Sequence, residues 1–115
     1  MLRTVHFVGT EAEVAHHAGP LTAHFDVRIT AAESIVDVAQ RDQVVVFFSE
    51  HFDRFREAIV QLKQRHVPTL YLIDGILEWR NAWENRPTEP ACPFTMRPVL
   101  SHKVACLGRD QADVL

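Results

Sequence analysis

Glycine is scarce in this chain, with four residues in 115, and each stands alone. Neither G-x-G-x-x-G nor G-x-x-x-x-G-K-[ST] occurs. Nicotinamide-cofactor binding and a P-loop both need a glycine-rich turn that lets backbone amides reach the phosphates, so both are disfavoured. Cysteine is also rare: Cys92 and Cys106 are the only two, and they lack the CxxC spacing of a metal site. They read as free thiols of a reducing cytoplasm, a disulfide between them being the alternative. Positive charge is not in excess, since the net charge is −3, which gives no electrostatic reason for a nucleic-acid or anionic-membrane partner. No run of about 20 apolar residues is present to span a bilayer. Glu11 and Glu13 come too early for the apolar stretch of a signal peptide. These absences lead to the expectation of a soluble, cytoplasmic protein.

The remaining composition is that of a globular domain. Apolar residues make up 47% and charged residues 23%, which argues against disorder and allows a core without staples. Seven histidines could raise the charge in mildly acidic conditions.

Val67–Gly75 organises the rest. Val67-Pro68-Thr69-Leu70-Tyr71-Leu72-Ile73 is a short apolar run rich in β-branched and aromatic residues, as in a strand buried on both faces. Asp74-Gly75 stops it with turn chemistry, and Trp79 and Trp83, four residues apart, would share one face of a following helix. Earlier, Arg3–Val8 reads as a first strand ending in Gly9-Thr10, with Thr10 as N-cap of a helix running to about Ala18. Gly19-Pro20 ends that helix. His24–Ile29 alternates polar and apolar residues as a half-solvated edge strand does. Thr30 with Glu33 forms a capping box for the next helix, whose inner face is Ala31, Ile35, Val38 and Ala39.

Val44–Phe48 is the clearest buried strand. A helix from about Asp53 to Arg65 follows, with Phe52, Phe55, Ile59, Leu62 and His66 on its inner face. Residues 86–98 hold four of the six prolines and no apolar period, so a surface loop is expected. Ser101–Leu107 supplies a fifth strand, and a last helix begins at Asp110. Because that helix breaks off at Leu115, residues 1–115 are expected to be a single Rossmann-like domain excised from a longer chain.

Five strands alternating with helices imply an α/β fold with a mainly parallel sheet. Right-handed crossovers make it a three-layer α/β/α, Rossmann- or flavodoxin-like domain, with strand order 3-2-1-4-5 or 2-1-3-4-5. Val44–Phe48 and Leu70–Ile73 should then be central neighbours of the first strand.

In such a fold the carboxyl ends of the strands share one rim, where open α/β sheets place ligands. That rim would gather Gly9, Thr10, Ser49, Glu50, His51, Asp74, Gly75, Gly108 and Arg109. Asp74, with Glu78 nearby, is a candidate general base, tuned by Arg80 or His51. Otherwise Asp74 satisfies its own turn and Glu78 faces water. Glu50-His51 is the second acid/base candidate, with Ser49 before it open to being only a helix cap. Gly9, Thr10, Glu50, Gly75 and Arg80 complete the expected substrate-contacting set. Trp79 and Trp83 read as core packing against the sheet, or else as a stacking platform. His16 and His17 are adjacent, point about 100° apart on a helix, and do not easily chelate one metal, so no metal is assigned. A phosphoacceptor receiver domain shares the architecture, but its acidic pair, central aspartate and lysine are replaced by Gly9-Thr10, Ser49-Glu50 and Leu107-Gly108. That reading fails.

Three stretches, VPTLYLIDG at Val67–Gly75, PFTMRPVL at Pro93–Leu100 and HKVACLGRDQADVL at His102–Leu115, resemble the N-terminal half of GT-B-type glycosyltransferases. The resemblance covers about the last 45 residues and extends to the earlier part only in its βαβ rhythm. It implies an acceptor-side domain, no separate cofactor, and a C-terminal domain beyond this chain that holds the nucleotide-sugar donor. A hydroxyl acceptor would lie in the cleft between the two, and the domain alone would not turn over. Some related transferases place His-Gly after the corresponding strand, where Asp74-Gly75 stands here. The other reading of the same residues is a non-catalytic flavodoxin-like module that binds a small ligand or a protein partner.

Overall fold

The computed structural model describes residues 2–50, 52–73 and 99–105, with the side chain of Glu13 set aside. Its sheet has five strands: β1 (Arg3–Val8), β2 (Phe25–Ile29), β3 (Val44–Phe47), β4 (Thr69–Leu72) and β5 (Lys103–Ala105). The spatial order is β2-β1-β3-β4-β5, and every pairing is parallel. This is the second of the two expected orders, and it makes the fold flavodoxin-like. β3 lies centrally beside β1, as expected, whereas β4 pairs with β3 and β5 and does not touch β1's ladder.

Among the described residues three α-helices cover the sheet: α1 (Glu11–Ala18), α2 (Ala32–Val38) and α3 (Asp53–Gln64). Strand alternation decides which side chains meet them. Val5, Phe7, Val46 and Phe48 pack with Val14 and Ala18 of α1 on one face. Val8, Val45 and Phe47 pack with Ile35 of α2 and with Ala58, Ile59 and Leu62 of α3 on the other. Helices on both faces of a parallel sheet make three layers. Val45, Phe47, Ile35, Ile59 and Leu62 are completely excluded from solvent, which is why Val44–Phe48 reads as unbroken apolar sequence. β2, by contrast, is an edge strand with Ile29 48% exposed.

Local chemistry departs from the sequence expectations in several places. α1 ends at Ala18 as expected, but Gly19–Leu21 continue from it as a 3-10 turn that has Pro20 at its start. The N-cap of α2 is Ala31, with no side-chain bond. Thr30 does not form the expected capping box; its hydroxyl lies 2.9 Å from His6 Nδ1. Val38 is 45% exposed, and Val36 joins Ile35 and Ala39 at the core. In this seven-residue helix, rotation about the axis favours the Ala32/Val36 row. Phe52 is the N-cap of α3 and Asp53 its first residue. His66 was expected on α3's inner face but is exposed beyond the helix, with φ of 61°. That left-handed turn lets Val67 reverse direction and bury, at a cost of about 1 kcal/mol for a non-glycine residue. The tryptophan helix, the proline-rich loop, the helix expected from Asp110 and both cysteines lie outside the described residues.

Candidate functional site at the carboxyl ends of β1 and β3

After β1 the chain turns at Gly9-Thr10 and enters α1 on one face of the sheet. After β3 it enters α3 on the other. Adjacent strands whose connections part to opposite faces leave a crevice between them, which is where doubly wound sheets bind ligands. A cleft of about 380 Å³ occupies this place, lined by Val8, Gly9 and Thr10 after β1, Thr30–Glu33 after β2, and Ser49, Phe52, Arg54 and Phe55 after β3. Of the expected site residues, Gly9 and Thr10 line it.

The cleft's charge comes from Arg54 and Glu33. The Arg54 guanidinium carbon lies 4.7 Å from the centre of the Phe55 ring and 6.0 Å from that of Phe52, within cation–π reach. Stacking uses the flat face of the guanidinium and leaves its N–H edge able to donate in plane to a carboxylate, phosphate or hydroxyl. Phe52 is itself exposed, so the cleft is lined by an aromatic wall with a cation beside it, one carboxylate, and the polar residues Thr10 and Ser49. Such a wall suits a small polar molecule with an apolar face.

Larger hollows lie at the opposite end of the sheet, where the strands begin. One of about 590 Å³ is lined by Gln40, Arg41, Asp42, Gln64 and Arg65 among others, and one of about 610 Å³ by Leu2, Arg3, Thr4, Asp42 and Gln43. Volume favours these, but topology favours the smaller cleft. Helices α2 and α3 both turn their carbonyl ends to the amino rim, and no diverging connections form a crevice there.

Glu50 takes a different place from the other rim residues. It is 1% exposed, and its carboxylate accepts the N–H of Leu100. It also accepts the N–H of Ser101 at 3.3 Å and the Ser101 hydroxyl at 2.8 Å. Arg56 stands 3.8 Å away. The side chain is therefore bound to the segment that leads into β5. His51, Asp74, Gly75, Glu78 and Arg80 lie outside the described residues.

His6 is a buried polar residue that the sequence reading passed over. It is 2% exposed, with Nε2 2.8 Å from Gln43 Oε1 and Nδ1 2.9 Å from the Thr30 hydroxyl. Gln43 Oε1 also accepts the Gln40 N–H at 2.9 Å, so it acts as an acceptor and His6 Nε2 must carry a proton. Alternation along β1, with Val5 and Phe7 facing α1, was the available signal that His6 faces the α2 side beside Val8. Among the described residues no three of His, Cys, Asp and Glu come together as metal ligands, and no helix is long and apolar enough to cross a membrane.

The fold and cleft define a class: a three-layer, all-parallel α/β domain with a crevice at its topological switch point. No protein-family model, curated protein or solved structure matches the chain.

Proposed function

We propose that the chain is the acceptor-side domain of a glycosyltransferase that uses a nucleotide-sugar donor, with the acceptor seated in the β1/β3 cleft. The observation that carries this reading is the cleft's position at the switch point, with Gly9, Thr10 and the Arg54–Phe55 pair on its walls. An aromatic face beside a guanidinium edge and hydroxyls is chemistry that suits a sugar or another polyhydroxylated acceptor. Further support comes from the segments that carry the family resemblance. Where described, Thr69–Leu72 and Lys103–Ala105 are neighbouring parallel strands.

The donor would be held by a domain beyond this chain. In the transfer step a general base takes the proton of the acceptor hydroxyl, the Asp74 carboxylate being the first candidate and the Glu78 carboxylate and the His51 imidazole the others. The acceptor oxygen bonds to the anomeric carbon, and the nucleotide leaves with its bonding electron pair on phosphate oxygen. Within this reading Gly75 and Arg80 remain substrate-side candidates.

The test has two arms. Isotope-labelled chain titrated with a panel of monosaccharides and glycosides should show shifts centred on Gly9, Thr10, Arg54 and Phe55, and these should vanish in Arg54→Ala. In the longer protein that includes the donor domain, Asp74→Asn should lower kcat by about a hundredfold, the usual scale of general-base catalysis. Binding at the cleft with transfer unchanged in Asp74→Asn would remove Asp74 from the mechanism. Binding without any transfer by the longer protein would favour the non-catalytic module. No cleft shift with any sugar would overturn the acceptor assignment.

A further inference from the structure

We propose that the docking of β5 onto β4 is a proton-sensitive clasp, closed by Thr69 and His102 only while the His102 imidazole is neutral. β5 is the outer strand of the described sheet and pairs with β4 alone, over Leu70↔Lys103, Tyr71↔Val104 and Leu72↔Ala105. One step before this ladder the pattern changes. The Thr69 N–H donates to His102 Nδ1 at 3.1 Å, the Thr69 hydroxyl lies 2.9 Å from the same nitrogen, and the His102 N–H donates to Thr69 Oγ1 at 3.0 Å. An imidazole nitrogen thus stands where a ladder would use a backbone carbonyl.

Donor and acceptor rules fix the charge state. A backbone N–H can only donate, so Nδ1 must present its lone pair and the proton of the neutral ring sits on Nε2. A second proton would land on Nδ1 and set two N–H groups against each other. Thr69 is 2% exposed, so its N–H would then be left without a partner in a dry place, which is costly. Falling pH opens this clasp and rising pH closes it.

Among the described residues, the charged groups on the elements around this joint sit in four places. Glu50, after β3, holds Leu100 and Ser101, and Arg56 of α3 stands beside Glu50. Lys63 of α3 donates to the Leu100 carbonyl at 2.7 Å, and Lys103 follows His102 directly. Arg65 and His66 occupy the turn before β4.

The experiment reads the whole described chain by NMR. At pH 7.5 the His102 ring should show nitrogen shifts of the Nε2–H tautomer. The exchange protection of the Thr69 amide, corrected for intrinsic chemistry, should fall with acidification by up to tenfold per pH unit once the ring titrates. The Thr30 amide, which donates to Phe7 across β1 and β2, should keep its protection and so separate this event from titration of His6. His102→Asn places an amide oxygen close to the Nδ1 position but cannot titrate. It should keep Thr69 protected at pH 7.5 and flatten the pH response. An Nδ1–H tautomer at pH 7.5, a flat wild-type response, or an unchanged response in His102→Asn would each overturn the proposal. Should His102→Asn fail to fold, the wild-type tautomer and pH profile decide alone.

Discussion

Replacing Glu50 by alanine should destabilise the domain by about 4 kcal/mol without touching the β1/β3 cleft. The structure supplies the magnitude. The carboxylate is 1% exposed and accepts from two backbone amides and one hydroxyl, with a guanidinium 3.8 Å away. Each hydrogen bond to a charged group contributes about 1.5–3 kcal/mol, but bonds sharing one acceptor do not add fully. Breaking a buried charged cluster by removing one member costs about 3–5 kcal/mol. Ser101, 8% exposed, would keep a buried hydroxyl and amide without that acceptor. Glu50→Gln retains the shape and one carbonyl oxygen but turns an NH₂ towards donors, and about 2 kcal/mol is expected. A domain of this length has about 6–17 kcal/mol of stability, so both variants should still fold and can be compared. Urea unfolding followed by circular dichroism would give each midpoint at unchanged m-value. A loss below about 1 kcal/mol for Glu50→Ala would refute the reasoning, since it would mean that water replaces the carboxylate at no cost. A residue kept for ligand contact behaves in the opposite way: its removal leaves stability intact and lowers binding.

Phe47→Ala should cost about 3–5 kcal/mol, because the ring is wholly buried and packs edge-on to Phe55 with centroids 6.3 Å apart; thermal melts of the two proteins would show it. His6→Leu fills the same space but strips the Thr30 hydroxyl and Gln43 of a partner, so about 2 kcal/mol should be lost in guanidinium titrations. Arg28→Ala removes an exposed ion pair to Asp26 within β2, at 2.8 Å with both side chains about half in water. Its effect on the melting midpoint should correspond to less than about 0.5 kcal/mol.

The sheet was legible because its signals are local and redundant. Val44–Phe48 is apolar at every position since both faces of β3 are covered, and Phe25, Val27 and Ile29 alternate since β2 is an edge. Strand order was readable only to a pair of alternatives, because periodicity says how a strand is buried and nothing about its neighbour. The placing of β4 next to β1 went wrong for that reason: β4 is buried between β3 and β5, and a run between any two strands would read alike. Helix ends were less legible. Thr30 and Glu33 have capping spacing, but a buried imidazole outcompetes the helix for the Thr30 hydroxyl. His66 lies in phase with α3's apolar face, yet the chain must leave the helix there to start β4.

For the site, sequence order alone brought Gly9 and Thr10 to the carboxyl rim, because a residue just after a parallel strand cannot be elsewhere. Arg54 and Phe55 were missed as cleft residues for a complementary reason. Their positions in a helical period marked one as solvated and the other as core, whereas the first turn of α3 brings both to the crevice. Glu50 shows the limit of rim logic. Its place after β3 suggested a ligand contact, and only Arg56, six residues on, is a partner close to it in the sequence. The hydrogen-bond donors are Leu100 and Ser101, fifty positions away. A carboxylate with three donors already on it has little capacity left for a ligand, so the chemistry of this rim passes to side chains that the sheet presents without binding them itself. Arg54 of α3, its guanidinium carbon 4.7 Å from the centre of the Phe55 ring at the cleft, is such a side chain.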